Sequence, residues 1–261
     1  MQPKEHHKRT LLFLILGSFF LCNAILAEFI GVKIFSLEST LGIPPFGLDI
    51  FGYILNMDLT AGVLPWPIVF IMTDIINEYY GKKGVRTFTY IASALIAYSF
   101  LVIYGVIHLA PASWWEVKDL GNGETINMQL AFSKVFGQGL YIIAGSLIAF
   151  LIGQVADVTV FHWLKTKTGE KYLWLRASGS TLISQIIDSF VVLYIAFYIG
   201  SNWSLSQVAA VGTNNYIYKF VIALAITPLL YVVHNLVDRF LGKELSEKMR
   251  KEAQEDKLDG V

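Results

Sequence analysis

The sequence predicts an all-α integral membrane fold of six transmembrane helices with both termini in the cytoplasm, and three observations carry that prediction. More than half of the residues are hydrophobic (55%), 15% are charged and the mean hydropathy is +0.56, more apolar surface than a soluble core of this length absorbs. Six windows of about twenty apolar residues follow one another along the chain. Lysine and arginine gather in alternate connections between those windows, as the positive-inside rule requires.

Taken in order, the first span covers about 11–32. It follows Lys4, Lys8 and Arg9, and it runs on to about Gly31 without a small-residue cleavage site, so it reads as a retained helix and not as a signal peptide. Residues 33–60 form a long outer loop. Within it the apolar stretch 43–57 is too short to span, begins at Pro44-Pro45 and carries Gly47, Asp49 and Gly52, which marks a structured loop at the interface. The second span, 61–80, ends at a basic turn (81–86), and the third covers 87–109. A second outer loop, 110–136, holds Trp114 and Trp115, placed to anchor at the interface. The fourth span (137–160), an inner connection (161–177) and the fifth span (178–200) follow. An uncharged outer loop, 201–215, leads to the sixth span, 216–238, in which Pro228 removes a backbone hydrogen bond and predicts a kink. Residues 1–240 thus make one six-helix domain. After Leu241 the mixed charges of 241–261 read as a solvated cytoplasmic helix that frays.

The charge distribution supports this order. Three Lys/Arg lie in the N-terminal tail, three at 81–86 (Lys82, Lys83, Arg86), four at 161–177 (Lys165, Lys167, Lys171, Arg176) and six after 238, the last of them Lys257. The outer segments hold Lys33, Lys118 and Lys134, and Lys219 lies inside the sixth span. An odd number of spans breaks this alternation. A net charge of zero gives no electrostatic case for a nucleic-acid partner. The single cysteine, Cys22, offers neither an internal disulfide nor a cysteine metal site, and the five histidines have no metal-ligand spacing, so no metal or cofactor is assigned. Neither a phosphate-binding G-x-x-x-x-G-K-[ST] loop nor an H-E-x-x-H motif occurs, so the chain is not expected to be an enzyme.

Six ionisable side chains fall inside the spans: Glu28, Asp74, Glu78, Asp157, Asp188 and Lys219. Each costs about 2.5–3.5 kcal/mol at the bilayer centre on insertion scales, so such residues face a bundle interior and mark a path for substrate, ion or proton. Asp74 and Glu78 share a helix face, with Asn77 beside them. The fourth span carries IGQVAD and the fifth ISQIID, which pair Gln154 with Asp157 and Gln185 with Asp188 at i,i+3. An amide that donates and accepts, beside a carboxylate that accepts, suits a planar nitrogen-rich ligand. At 1.5 Å per residue, Asp74 and Asp157 each lie about 12 Å from the inner basic collar and Gln185 about 13 Å, so three helices bring polar groups to one layer. Glu28 and Lys219 fall at similar depth, where they can neutralise one another. Bland alternatives stand beside each reading: snorkelling for Asp74, an i,i+4 pair with Lys82 for Glu78, and helix–helix hydrogen bonding for Asp157 and Asp188.

Four stretches, TDIINEYYGKKGVR (73–86), GQVADVTVFHWLK (153–165), LWLRASGSTLISQIIDSFVVLYIAF (173–197) and YKFVIALAITPLLY (218–231), resemble in order and spacing the queuosine-precursor transporter family, also called the vitamin uptake transporter family. The resemblance covers roughly 60–240. It implies a six-helix bundle similar to the substrate-binding components of energy-coupling-factor vitamin transporters. It also implies uptake of 7-cyano- or 7-aminomethyl-7-deazaguanine, precursors of queuosine in transfer RNA, across the bacterial inner (plasma) membrane. The implied partners are that small base and the lipid bilayer, and the family's aspartates fall at 74, 157 and 188 with its lysine at 219. On that basis Asp157 or Asp188 reads the guanine-like edge, Gln154 and Gln185 complete it, and Asp74 with Asn77 forms a second polar layer or a proton relay, with Glu28 and Glu78 as relay or structural ion pairs. The first span has Ala24 and Ala27 three apart and lacks the Ala-x-x-x-Ala docking pattern of ATPase-coupled components, which favours a stand-alone carrier over a module-dependent binding subunit. Another vitamin or nucleobase would use the same carboxylate–amide layer.

Overall fold

A computed structural model describes residues 3–121, 123–137, 139–168 and 172–255; Lys171 and Lys257 of the charge pattern lie outside them. Among the described residues the fold is all-α apart from three short two-stranded antiparallel sheets in the connections. Helix α1 is Pro3–Ile30. Its buried residues Leu12, Leu16, Phe20 and Ala24 recur every four positions and so form one stripe, which packs on α3. Leu14, Ile15, Phe19 and Leu26 on its other faces are exposed, an apolar surface of the kind a helix presents to lipid tails.

The loop after α1, 33–60, is structured, as its Pro/Gly pattern predicts. Strand β1 (Ile34–Ser36) is followed by α2 (Leu37–Leu41), β2 (Leu48–Ile50), β3 (Tyr53–Leu55) and β4 (Asp58–Thr60). β1 pairs with β4 and β2 with β3, both antiparallel. Glu38 ties this loop together: it is 1% exposed and accepts the backbone N–H of Met57 at 2.7 Å and that of Phe46 at 3.5 Å.

Helix α3, Trp66–Ile107, joins the windows expected at 61–80 and 87–109. It is broken at Gly81, whose φ of 68° and ψ of −169° are not helical. That positive φ is open to glycine at little cost, and a Cβ at this position would come within 3.1 Å of the Ala253 carbonyl oxygen. Beyond α3 come α4 (Ser113–Glu116), the exposed hairpin β5–β6 (Val117–Asp119, Thr125–Asn127) and α5 (Met128–Phe136). Helices α6 (Leu140–Thr168) and α7 (Leu173–Leu193) lie against each other along their length, and α7 runs into a π-helical turn, Tyr194–Ile199.

Helix α8 (Leu205–Ala225) begins inside the segment expected to be an outer loop. It meets α9 (Thr227–Leu241) at a bend of 44°, where Pro228 cannot continue the ladder. Among the described residues four helices are long and apolar enough to cross a membrane, and a fifth arises if α8 and α9 count as one broken span.

The C-terminal segment differs from its expectation. Helix α10, Lys243–Glu255, is docked and not freely solvated: Leu245, Met249 and Ala253 are buried against the core, and Arg9 pairs with Glu252 at 2.7 Å. These apolar residues recur at i,i+4,i+8, a face the mixed charges conceal.

Candidate functional site

The ionisable residues of the spans resolve into three groups. The first is a buried ion cluster. Glu78 of α3 accepts both its hydrogen bonds from Arg176 Nη2, at 3.1 and 3.2 Å, and lies 3.2 Å from Lys165 Nζ; all three side chains are 1% exposed. Lys165 also donates to the Glu78 carbonyl at 3.2 Å, and the Arg176 guanidinium stands 5.8 Å from the centre of the Phe161 ring. This corrects two expectations. Arg176 and Lys165, assigned to the inner basic collar, are buried counter-ions, and Glu78, for which an i,i+4 pair with Lys82 was the bland alternative, is held by them across helices. A buried carboxylate is sustained by paired, hydrogen-bonded cations at this spacing.

The second group lies toward the other end of the helices. Lys219 of α8 hydrogen-bonds the Asp188 carboxylate of α7. Glu28 instead accepts from the Ser146 hydroxyl at 2.6 and 2.7 Å. The expected Glu28–Lys219 pairing is therefore replaced by Lys219–Asp188, with Glu28 held by α6.

The third group is the polar layer between them. Asp74 and Asp157 are 5% and 1% exposed. Thr73, beside Asp74, donates to Gln154 at 3.5 Å, which fixes α3 against α6 one turn from Asp157. Asp157 accepts from Ser184 of α7 at 3.4 Å. Asp74 Oδ1, Asp157 Oδ2 and both amide atoms of Asn77 are buried without a protein hydrogen-bond partner. Buried polar atoms left in this way are uncommon and call for an explanation.

A cleft runs alongside this layer. The part near Lys219, about 320 Å³ of space counted together with what is open to the surroundings, is lined by Trp66, Phe70, Thr181, Gln185, Tyr218 and Lys219 with apolar neighbours. The part near Asp74, about 260 Å³ counted in the same way, is lined by Asp74, Ser178, Thr181 and Thr227 among others. Phe70, Thr181, Ala223 and Ile226 belong to both, so the two parts are continuous between α3, α7 and the α8–α9 bend. Trp66 and Phe70 stack at 5.7 Å and 24° and give the cleft an aromatic wall. Few polar groups converging on an apolar, aromatic-walled space is the common form of a small-molecule site.

Of the residues singled out from sequence, Asp74, Gln185 and Lys219 line this cleft. Asp188 accepts from Lys219, Gln154 accepts from the hydroxyl of Thr73, the residue before Asp74, and Asn77 and Asp157 are buried outside the lining. The sequence reading missed Trp66, Phe70 and Thr181; the only signal for the first two is an aromatic pair at i,i+4 at the head of the charged span.

The family model described as "Putative vitamin uptake transporter" matches residues 60–233. The "Probable queuosine precursor transporter" of Bacillus subtilis is 27% identical over 194 residues, 73% of this chain and 76% of its own. The "Queuosine precursor transporter" of Escherichia coli is 25% identical over 202 residues, 75% and 80%, and the "Probable queuosine precursor transporter" of Haemophilus influenzae is 24% identical over 195 residues, 73% and 74%. No solved structure matches.

Proposed function

This chain belongs to the vitamin uptake transporter family, and from that premise we propose that it imports 7-deazaguanine precursors of queuosine, such as 7-cyano- or 7-aminomethyl-7-deazaguanine, across the inner membrane. The observation that carries this reading is the continuous cleft with an aromatic wall, a carboxylate at one end and an amide and ammonium at the other. A guanine-like edge presents an N–H and an exocyclic amine side by side, which a carboxylate accepts as a two-pronged hydrogen bond. Asp74 takes that edge. The ring carbonyl accepts from Lys219 or Gln185, and the heterocycle lies against Phe70 and Trp66. Asp188 orients Lys219, Gln154 braces the helix carrying Asp74, and Glu28 anchors α1 to α6.

The membrane arrangement belongs to the same proposal. Helix α3 is 42 residues long, about 63 Å at helical rise and twice the hydrocarbon thickness of about 30 Å. Split at Gly81, the apolar helical run Ala61–Ile107 gives segments of about 20 and 26 residues, each of spanning length, and these count as two spans. With α1, α6, α7 and the bent α8–α9 pair this makes six, with both termini cytoplasmic.

The test is transfer-RNA modification in a cell unable to make the precursors, supplied with nanomolar 7-cyano-7-deazaguanine. Queuosine in transfer RNA appears when this chain is expressed and is absent without it. Equal queuosine in both cells contradicts the proposal.

A further inference from the structure

The cleft is narrow in this structure. Each of its two parts leaves about 20 Å³ open to the centre of a water molecule, the space of about one water and far less than a purine-sized ring needs. Passage of a base therefore requires one of the bounding elements, α3, α7 or the α8–α9 pair, to move. Two sets of polar ties near the cytoplasmic end of α3 differ in how readily they part. Glu78, Lys165 and Arg176 join α3 to α6 and α7 with all three side chains 1% exposed, and breaking such a buried pair is costly. Asp238 of α9 is 31% exposed, where water competes for each bond and a single tie contributes little.

Asp238 fastens α9 to its neighbours. Its carboxylate accepts from Tyr79 of α3 and from Ser246 of α10, both at 2.7 Å, and lies 3.3 Å from His234 and 3.8 Å from Arg250 of α10. Lys8 of α1 donates to the Phe240 and Leu241 carbonyls at the end of α9, at 2.8 and 3.2 Å. The Arg9–Glu252 pair that ties α10 to α1 is also partly exposed, 19% and 46%. Val237 and Leu241 of α9 and Leu245 and Met249 of α10 share one apolar cluster with Tyr79 and Val85 of α3. The two helices thus rest on α3 through a common apolar surface fastened at its edge by polar bonds. At its other end α9 starts from the 44° bend, where Pro228 cannot continue the ladder. Thr227 and Leu230, just past that bend, line the cleft beside Asp74. A rotation about the bend that lifts α9 from α3 therefore widens the cleft near Asp74.

We propose that α9 and α10 together form the cytoplasmic gate of the cleft, hinged at 226–228 and fastened at Asp238, and that the base leaves between α9 and α3 when the Tyr79–Asp238 bond parts. This rests on the function and topology proposed above. The Glu78 cluster keeps α3, α6 and α7 together as the fixed wall that carries Asp74, and the hinged pair swings against it. Burial of Leu245 and Met249 returns the gate to its closed position.

The test uses the full-length chain carrying Cys22→Ser and Ala223→Cys, so that its one thiol lines the cleft. Right-side-out and inside-out membrane vesicles are treated with a membrane-impermeant maleimide. Tyr79→Phe and Ser246→Ala, each removing one hydroxyl from Asp238, are expected to speed labelling from the cytoplasmic side at least threefold and to leave the outer rate unchanged. Tyr80→Phe, which removes a hydroxyl donated to the Arg9 carbonyl of α1, is expected to change neither rate. Unchanged cytoplasmic labelling in both gate variants overturns the proposal. So does a rise on both sides, a rise confined to the outer side, or an equal rise in Tyr80→Phe, which would mean general loosening. Uptake of labelled 7-cyano-7-deazaguanine by the parent is measured in parallel. Its absence overturns the transport reading, while a rise confined to the cytoplasmic side in the gate variants still supports the gate.

Discussion

Asp74, Asp157, Asp188 and Lys219 were legible in the sequence because an ionisable group inside an apolar run is rare, and its cost demands a reason. Their partners were not. Glu78 finds Lys165 87 residues away and Arg176 98 residues away, and a cation near the end of a span looks the same in sequence whether it snorkels to water or turns inward. Glu78→Gln should leave two interior cations facing a neutral amide. Breaking a buried pair in this way costs about 3–5 kcal/mol, so the variant should melt markedly lower in detergent; an unchanged melting temperature would mean that the cluster is hydrated. Asp188→Asn should reduce uptake by more than tenfold at normal membrane levels, because Lys219 loses the group that orients it. Thr181 and the aromatic pair Trp66 and Phe70 stayed hidden because a hydroxyl or a ring in a span carries no contrast with its neighbours.

At the level of elements, the bend between α8 and α9 was readable from Pro228, and the structured outer loop from its Pro/Gly punctuation. The docking of α10 was masked by its charges. It matters because Gly81, where α3 breaks, touches Ala253 of that helix. Gly81→Ala is expected to strain the break and loosen α10 together, which protease nicking between 242 and 255 would report; protection equal to the parent's would separate the two. In the outer loop, the Met57 N–H holds the Glu38 carboxyl below its ordinary value of 4.5. A lowered folded-state value stabilises the loop at pH above the ordinary one and is lost as pH falls through the folded one. Hydrogen-exchange protection at Met57 should therefore be full near neutral pH and fall below about pH 4.5; Glu38→Ala should remove it at pH 7, and Glu38→Gln, whose amide oxygen still accepts, should abolish its pH dependence.

For the whole molecule, composition and charge alternation made the membrane fold legible, but not the number of separate helices. Two windows share α3 because the basic stretch 81–86 that separates them in the hydropathy pattern is itself helical apart from Gly81, and the sixth starts eleven residues early because uncharged 205–215 is as compatible with helix as with loop. A fluorescent-protein fusion to the C-terminus should glow, and an alkaline phosphatase fusion there should be inactive, as a cytoplasmic terminus requires. The reverse pair of signals would invert the topology. The central claim is that the cleft between α3, α7 and the α8–α9 bend holds the base. Ala223 lines both parts of that cleft, so Ala223→Trp should fill it without touching a charged residue. Equilibrium binding of radiolabelled 7-cyano-7-deazaguanine to the purified chain tests this most directly: saturable binding by the parent and its loss in Ala223→Trp at unchanged melting temperature is the predicted result, and a variant that binds as the parent does would place the site elsewhere.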